Sequence, residues 1–168
     1  MRITLRLLLT AGIGVFACFP AMAAPRDALG VFEAWGAFRD AAPPRCFAIA
    51  EPVRLRHGAT WQPFATVADW PASGVRRQVH VRLREAKRQG APVTLSIGDR
   101  HFALVGNGAD AWAPDPRADA AIVAAMRSGS SMSVETEDGA GKPLVDVYRL
   151  RGAATAIDAA TLACARRS

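Results

Sequence analysis

The sequence is short of most things that announce an enzyme. Its 168 residues contain no G-x-S-x-G elbow, no H-E-x-x-H pair, no phosphate loop and no C-x-x-C, so the signatures of serine hydrolases, zinc hydrolases, nucleotide binders and dithiol redox proteins are missing. Histidine is scarce: His57, His80 and His101 stand far apart, and no metal-ligand spacing links them to a carboxylate. Lysine is nearly absent, 2 residues against 19 arginines. With the abundance of alanine this reads as a GC-rich coding bias, so basicity alone carries no functional argument. There is no internal repeat, low-complexity tract or domain linker. The length suits one domain, and 51 % hydrophobic with 21 % charged residues is an ordinary globular composition. No cofactor, metal site or catalytic residue is expected. Glu135 and Glu137 share a strand face, but such carboxylates are usually solvated, and neither Cys46 nor Cys164 has the polar setting of a nucleophile.

What is present begins with a leader. Arg2 and Arg6 precede an apolar stretch, Leu7 to Phe19, and Ala21-Met22-Ala23 supplies an A-x-A cleavage site. The stretch is shorter than the ~20 residues needed to span a bilayer. Residues 1–23 are therefore read as a secretory signal peptide and 24–168 as the mature, periplasmic or secreted domain. A competing pattern, Val15-Phe16-Ala17-Cys18, resembles a lipoprotein box with bulky Phe16 where a small residue is usual; lipidation at Cys18 would make the protein peripheral to a membrane. Removing Arg2 and Arg6 leaves 19 basic and 15 acidic residues, a formal charge of +4. In an oxidising compartment the two remaining cysteines, Cys46 and Cys164, read as a disulfide tying the start of the fold to its end.

Along the chain, residues 24–32 read as a polar lead-in. Residues 33–39 and 45–52 read as strands around a Pro43-Pro44 corner. Residues 53–75 read as a long irregular loop whose Trp61, Phe64 and Trp70 are either pinned to the core or exposed for recognition. Residues 76–84 alternate, with Val79, Val81 and Leu83 on one face and His80, Arg82 and Arg84 on the other. Gly98-Asp99 closes a hairpin that places Leu95 opposite Phe102 and Val93 opposite Leu104. Asp115-Pro116 opens a helix with Ala118, Ile122, Ala125 and Met126 inward, which Gly129 ends. A second hairpin covers 131–137 and 143–150. A terminal helix buries Ala153, Ala156, Ile157, Ala160 and Cys164. This pattern predicts a mainly β protein, a β-sandwich with two short helices; a mixed α+β sheet is the alternative.

The candidate binding residues are Arg76, Arg77, Arg82, Arg84 and Arg88, crowded into thirteen positions with His80 and Lys87 and relieved only by Glu85. Clustered arginines create a steering field, and the partners that suit the compartment are an acidic protein surface or an anionic envelope polymer, not nucleic acid. The competing reading is neutralisation by the acidic hairpin of Glu135, Glu137, Asp138 and Asp146.

The run Trp35 to Cys46, then Val93-Thr-Leu-Ser-Ile-Gly-Asp99, Phe102 and Arg149-Leu-Arg-Gly-Ala-Ala154, resembles the invasion-associated locus B family over residues 30–165. The resemblance implies an immunoglobulin-like β-sandwich, a periplasmic or outer-surface location and a role in envelope biology or host-cell invasion, without catalytic residues. The chain differs in cysteine number: Phe38-Arg39 and Gly106 to Trp112 stand where family members tend to carry cysteines. The function expected is a non-enzymatic binding or envelope-interaction module. A structural or stress-related envelope protein, or a hydrolase, are the alternatives.

Overall fold

A computed structural model describes residues 26–53 and 61–165. The signal-peptide reading, Cys18 and His57 lie outside those residues. Among the described residues the elements are β1 (Arg26–Phe32), β2 (Trp35–Ala41), β3 (Pro44–Ala50), β4 (Phe64–Trp70), β5 (Val75–Arg82), β6 (Val93–Ile97), β7 (Arg100–Asn107), β8 (Asp110–Trp112), α1 (Pro116–Ser128), β9 (Ser131–Glu137), β10 (Pro143–Arg149) and α2 (Ala153–Ala165). Every strand pairing is antiparallel, in the order β1-β2-β3-β4-β5-β8-β7-β6-β9-β10. β7 is shared: Arg100 to Leu104 pairs with β6, while Val105 to Asn107 pairs with β8. The ladder turns there into the two layers of a β-sandwich, as the mainly β reading predicts.

Alternation explains the core. Trp35, Ala37, Cys46, Ala48, Val67, Val79 and Val81 point inward from the first sheet, and Val93, Leu95, Ile97, Met132, Val134, Leu144 and Tyr148 from the second. A buried Leu-sized side chain contributes roughly 1.5–3 kcal/mol. The predicted register of the second sheet holds, with Leu95 opposite Phe102 and Val93 opposite Leu104. Asp115 caps α1 by accepting the N–H groups of Arg117 and Ala118, both at 2.8 Å, with Pro116 in the first turn and Arg127 in the last. Helix α2 packs on β1 to β4 and buries the five residues its spacing predicts. Cys46 on β3 is disulfide-bonded to Cys164 on α2 across 118 residues. Thr161 adds a second tie, donating to Asp69 Oδ2 at 2.9 Å.

Two readings of the sequence are corrected. The lead-in is strand β1, and the supposed loop contains β4, a central strand between β3 and β5. Five of the seven β4 residues are buried. Its outward residues Thr66 and Ala68 are small and lie buried beside larger cross-strand neighbours such as Phe47 and His80, so the strand lacks the polar alternation that would reveal it, and Pro63 and Pro71 at its ends mimic loop punctuation. Strand β1 is polar because it lies at the sheet edge.

The opposite edge, β10, is blunted by side chains and loops. The Val145 carbonyl accepts from Arg84 Nη2 at 2.8 Å, the Val147 carbonyl from the Val53 N–H at 2.7 Å, and the Arg149 carbonyl from the Trp35 indole at 2.8 Å. Occupied carbonyls cannot template another strand, which is how edges are protected from pairing.

Candidate interaction surface

Cross-strand partners share a face, so the register assigns the outward side of the first sheet directly. Phe38, Phe47, Ala68 and Gln78 form one row. Val31, Gly36, Ile49, Thr66, His80, Trp112 and Val105 form the next, across seven strands. Phe64, Arg82, Asp110 and Asn107 follow. The core that receives both helices lies on the other side.

Large rings and guanidiniums dominate this outward face. His80 stacks on Trp112 with centroids 4.9 Å apart and meets Phe64 edge-on at 5.5 Å. Phe38 stacks on Phe47 at 5.8 Å. Arg26 lies 5.2 Å over Phe47, Arg45 lies 4.6 Å over Phe47 and 5.3 Å over Trp70, and Arg82 lies 5.9 Å over Phe64. Such cation–π contacts are worth about 0.5–1 kcal/mol at exposed sites. Val31 and Val105, in the same row, are 76 % and 60 % exposed.

Acidic residues hold the arginines in place. Asp40 receives Arg26 at 2.7 Å and Arg45 at 2.8 Å, and the hydrogen bond from Arg26 holds the Asp40 carboxyl below its ordinary pKa. Asp110 receives Arg82 through two bonds, 3.1 and 2.8 Å, and His80 Nε2 at 2.7 Å. Burial would raise the Asp110 pKa, but these donors outweigh it and lower the value. Burial also lowers the His80 pKa, with Asp110 opposing, so this histidine favours its neutral form.

The five predicted arginines do not form one open stripe. Arg82 lies on the outward face, paired with Asp110. Arg84 lies beyond the end of β5 and turns inward to Asp146 on β10, with side chains 13 % and 0 % exposed. The expectation that it projects beside Arg82 is therefore corrected: the strand ends at Arg82 and the alternation ends with it. Arg88 pairs with Glu137 in the acidic hairpin. Arg76 and Arg77 are exposed at the start of β5, where Arg77 has a positive φ of 52° and gives its N–H to Asp69 at 3.0 Å. Trp61 is pinned, its indole donating to the Leu83 carbonyl.

The outward side of the second sheet is different. Thr94, Ser96, Ser133 and Glu135 face solvent there in register, with His101 opposite Ser96. No group of three His, Cys, Asp or Glu residues able to hold a metal ion occurs among the described residues.

Sequence reasoning missed Arg26, Arg45, Asp110 and Trp112 as members of one surface. Their common parity along β1, β3 and β8 was the available signal, but it needs the pairing order to become readable.

No protein-family model matches the chain, and no match was found among curated protein sequences. A solved structure does match. In fold the chain is similar to invasion associated protein B of Bartonella henselae. That crystal structure superposes with a TM-score of 0.56 at 15 % identity, covering 83 % of this chain and 98 % of the other. At that identity the likeness is one of fold.

Proposed function

We propose that the protein is an extracytoplasmic, non-enzymatic interaction module, distantly related to the invasion-associated locus B proteins, whose outward first-sheet face docks an acidic protein surface. The leader sequence supports the compartment, and the likeness to invasion associated protein B supports the relationship. The observation that carries the binding reading is the set of guanidiniums laid over rings, Arg26 and Arg45 on Phe47 and Arg82 on Phe64. Arginine and aromatic residues are the groups enriched in protein interfaces and their hot spots. Seven strands set about 4.8 Å apart give a face about 30 Å wide, a breadth that suits a protein surface better than a single extended polymer.

The test is retention of the mature protein on immobilised poly-L-glutamate and on alginate. Retention on polyglutamate should fall with salt and should be weakened by Arg26→Gln with Arg45→Gln. The same charge change at exposed positions elsewhere, Arg117→Gln with Arg149→Gln, should have little effect. Equal loss in both double variants would reduce the face to net charge. Loss on alginate alone would make the partner an anionic envelope polymer.

A further inference from the structure

Where the outward face meets the β7–β8 turn there is a depression of about 260 Å³ lined by Trp61, Arg82, Asn107, Gly108, Ala109 and Asp110. Its two walls hang on one residue. The Leu83 carbonyl holds the Trp61 indole, and the Leu83 N–H bonds the Ala109 carbonyl at 2.7 Å. The indole is thus fixed before any ligand arrives, which lowers the ordering cost of binding. Gly108 turns the chain at φ +58°, with open space where a side chain would stand, so nothing on that residue closes the mouth.

The polar groups are equally fixed and have bonding capacity left. Arg82 spends Nε and Nη2 on Asp110, leaving both Nη1 hydrogens as donors. Asp110 Oδ2 accepts only one hydrogen bond, and the Asn107 amide takes part in no side-chain hydrogen bond among the described residues. The depression therefore offers paired donors and acceptors on planar groups beside a flat apolar wall. Its charge is balanced, because the guanidinium faces its own carboxylate. An anion would meet Asp110 and a cation would meet Arg82.

We infer that this depression binds one pyranose ring of a neutral sugar. Adjacent hydroxyls, each both donor and acceptor, match Arg82, Asn107 and Asp110, while the C–H face of the ring packs on Trp61. The inference stands on this geometry and not on the docking reading above.

The test is a protein-observed NMR titration of the mature chain with glucose, galactose, mannose and N-acetylglucosamine in turn, with glycine and sodium glucuronate as zwitterionic and anionic probes. At least one neutral sugar should shift the Trp61 indole and Asn107 amide signals, with millimolar affinity. Asn107→Ala, which breaks no hydrogen bond within the described fold, should weaken binding about tenfold. Trp61→Phe, which keeps an aromatic wall, should retain more binding than Trp61→Ala. No shift with any of the four sugars overturns the inference. So does unchanged binding in Asn107→Ala and Trp61→Ala, or a preference for glycine or glucuronate. Arg26→Gln with Arg45→Gln should weaken polyglutamate retention and leave the sugar titration unaltered, so the two proposals fail separately.

Discussion

The outward faces of the two sheets belong to one continuous ladder and share strand β7, yet they differ in what covers them. On the second sheet, Ser96 bonds His101 at 2.9 Å and the Ser133 hydroxyl donates to Glu135 at 2.8 Å. Small polar groups satisfied by one another or by water make an ordinary solvated face. On the first sheet, rings and guanidiniums cover the same kind of backbone; exposed valines occur on both faces, Val31 and Val105 here and Val145 and Val147 at the β10 edge of the other. The change happens within β7. His101 and Ala103 belong to the polar face while β7 pairs with β6, and Val105 belongs to the aromatic face once it pairs with β8. Alternation identifies an outward position; only the size and stickiness of its side chain says whether that position is built for water or for contact.

Both faces depend on an inner side that holds the layers together, and the largest effects are expected there. Cys164→Ser opens a loop of more than 100 residues, which chain-entropy reasoning values at roughly 4–5 kcal/mol; thermal unfolding under non-reducing conditions should show a large fall. If the melting temperature is unchanged, packing and the Thr161–Asp69 hydrogen bond hold α2 without the disulfide. Next comes Arg84→Ala, which strands the buried Asp146 charge and should cost ~3–5 kcal/mol. Arg82→Ser, at a 40 % exposed partner of Asp110, should cost under about 1 kcal/mol. Denaturant melts of the pair separate an arginine that seals the sandwich seam from one that lies on the outward aromatic face. Equal costs would erase that distinction.

A smaller effect tests the boundary between face and core. Asp119 on α1 is buried and accepts the Val79 N–H at 2.7 Å. Burial pushes its pKa up, with that hydrogen bond opposing. The folded state therefore holds the proton more tightly than the unfolded chain, and the Asp119 contribution falls as pH rises through the raised range. Asp40 on the outward aromatic face has the opposite sign: held low by Arg26, it stabilises fully above the ordinary carboxylate range and loses its contribution as pH falls. Asp119→Asn should therefore flatten the stability–pH curve just above the ordinary carboxylate range. Arg26→Gln with Arg45→Gln should flatten its acid limb. Each change should stay within about 1–2 kcal/mol, measured by urea melts across pH.

Much of this architecture was legible in the sequence wherever a local rule applied. The Gly98-Asp99 turn fixed the Leu95–Phe102 register, Asp115-Pro116 marked the start of α1, and helical spacing put Cys164 on the buried stripe facing Cys46. Strand β4 was not legible, because Ala65 to Asp69 are buried together and show no alternation. The outward aromatic face was legible only in fragments. Arg82 and His80 alternate visibly, but their partner Asp110 lies about thirty residues on and joins them through β8, a three-residue strand. Arg84 misled for the same reason: its partner Asp146 is 62 positions away, and no local period records that the strand stops at Arg82.

The central claim is that contact and solvation are divided between the two outward faces. A photo-crosslinking amino acid placed at Val105, and separately at Ser96, in protein expressed in its own host tests it most directly. The account predicts protein adducts from Val105 that disappear with Arg26→Gln and Arg45→Gln, and none from Ser96. Adducts of equal yield from both positions, or from Ser96 alone, would contradict it.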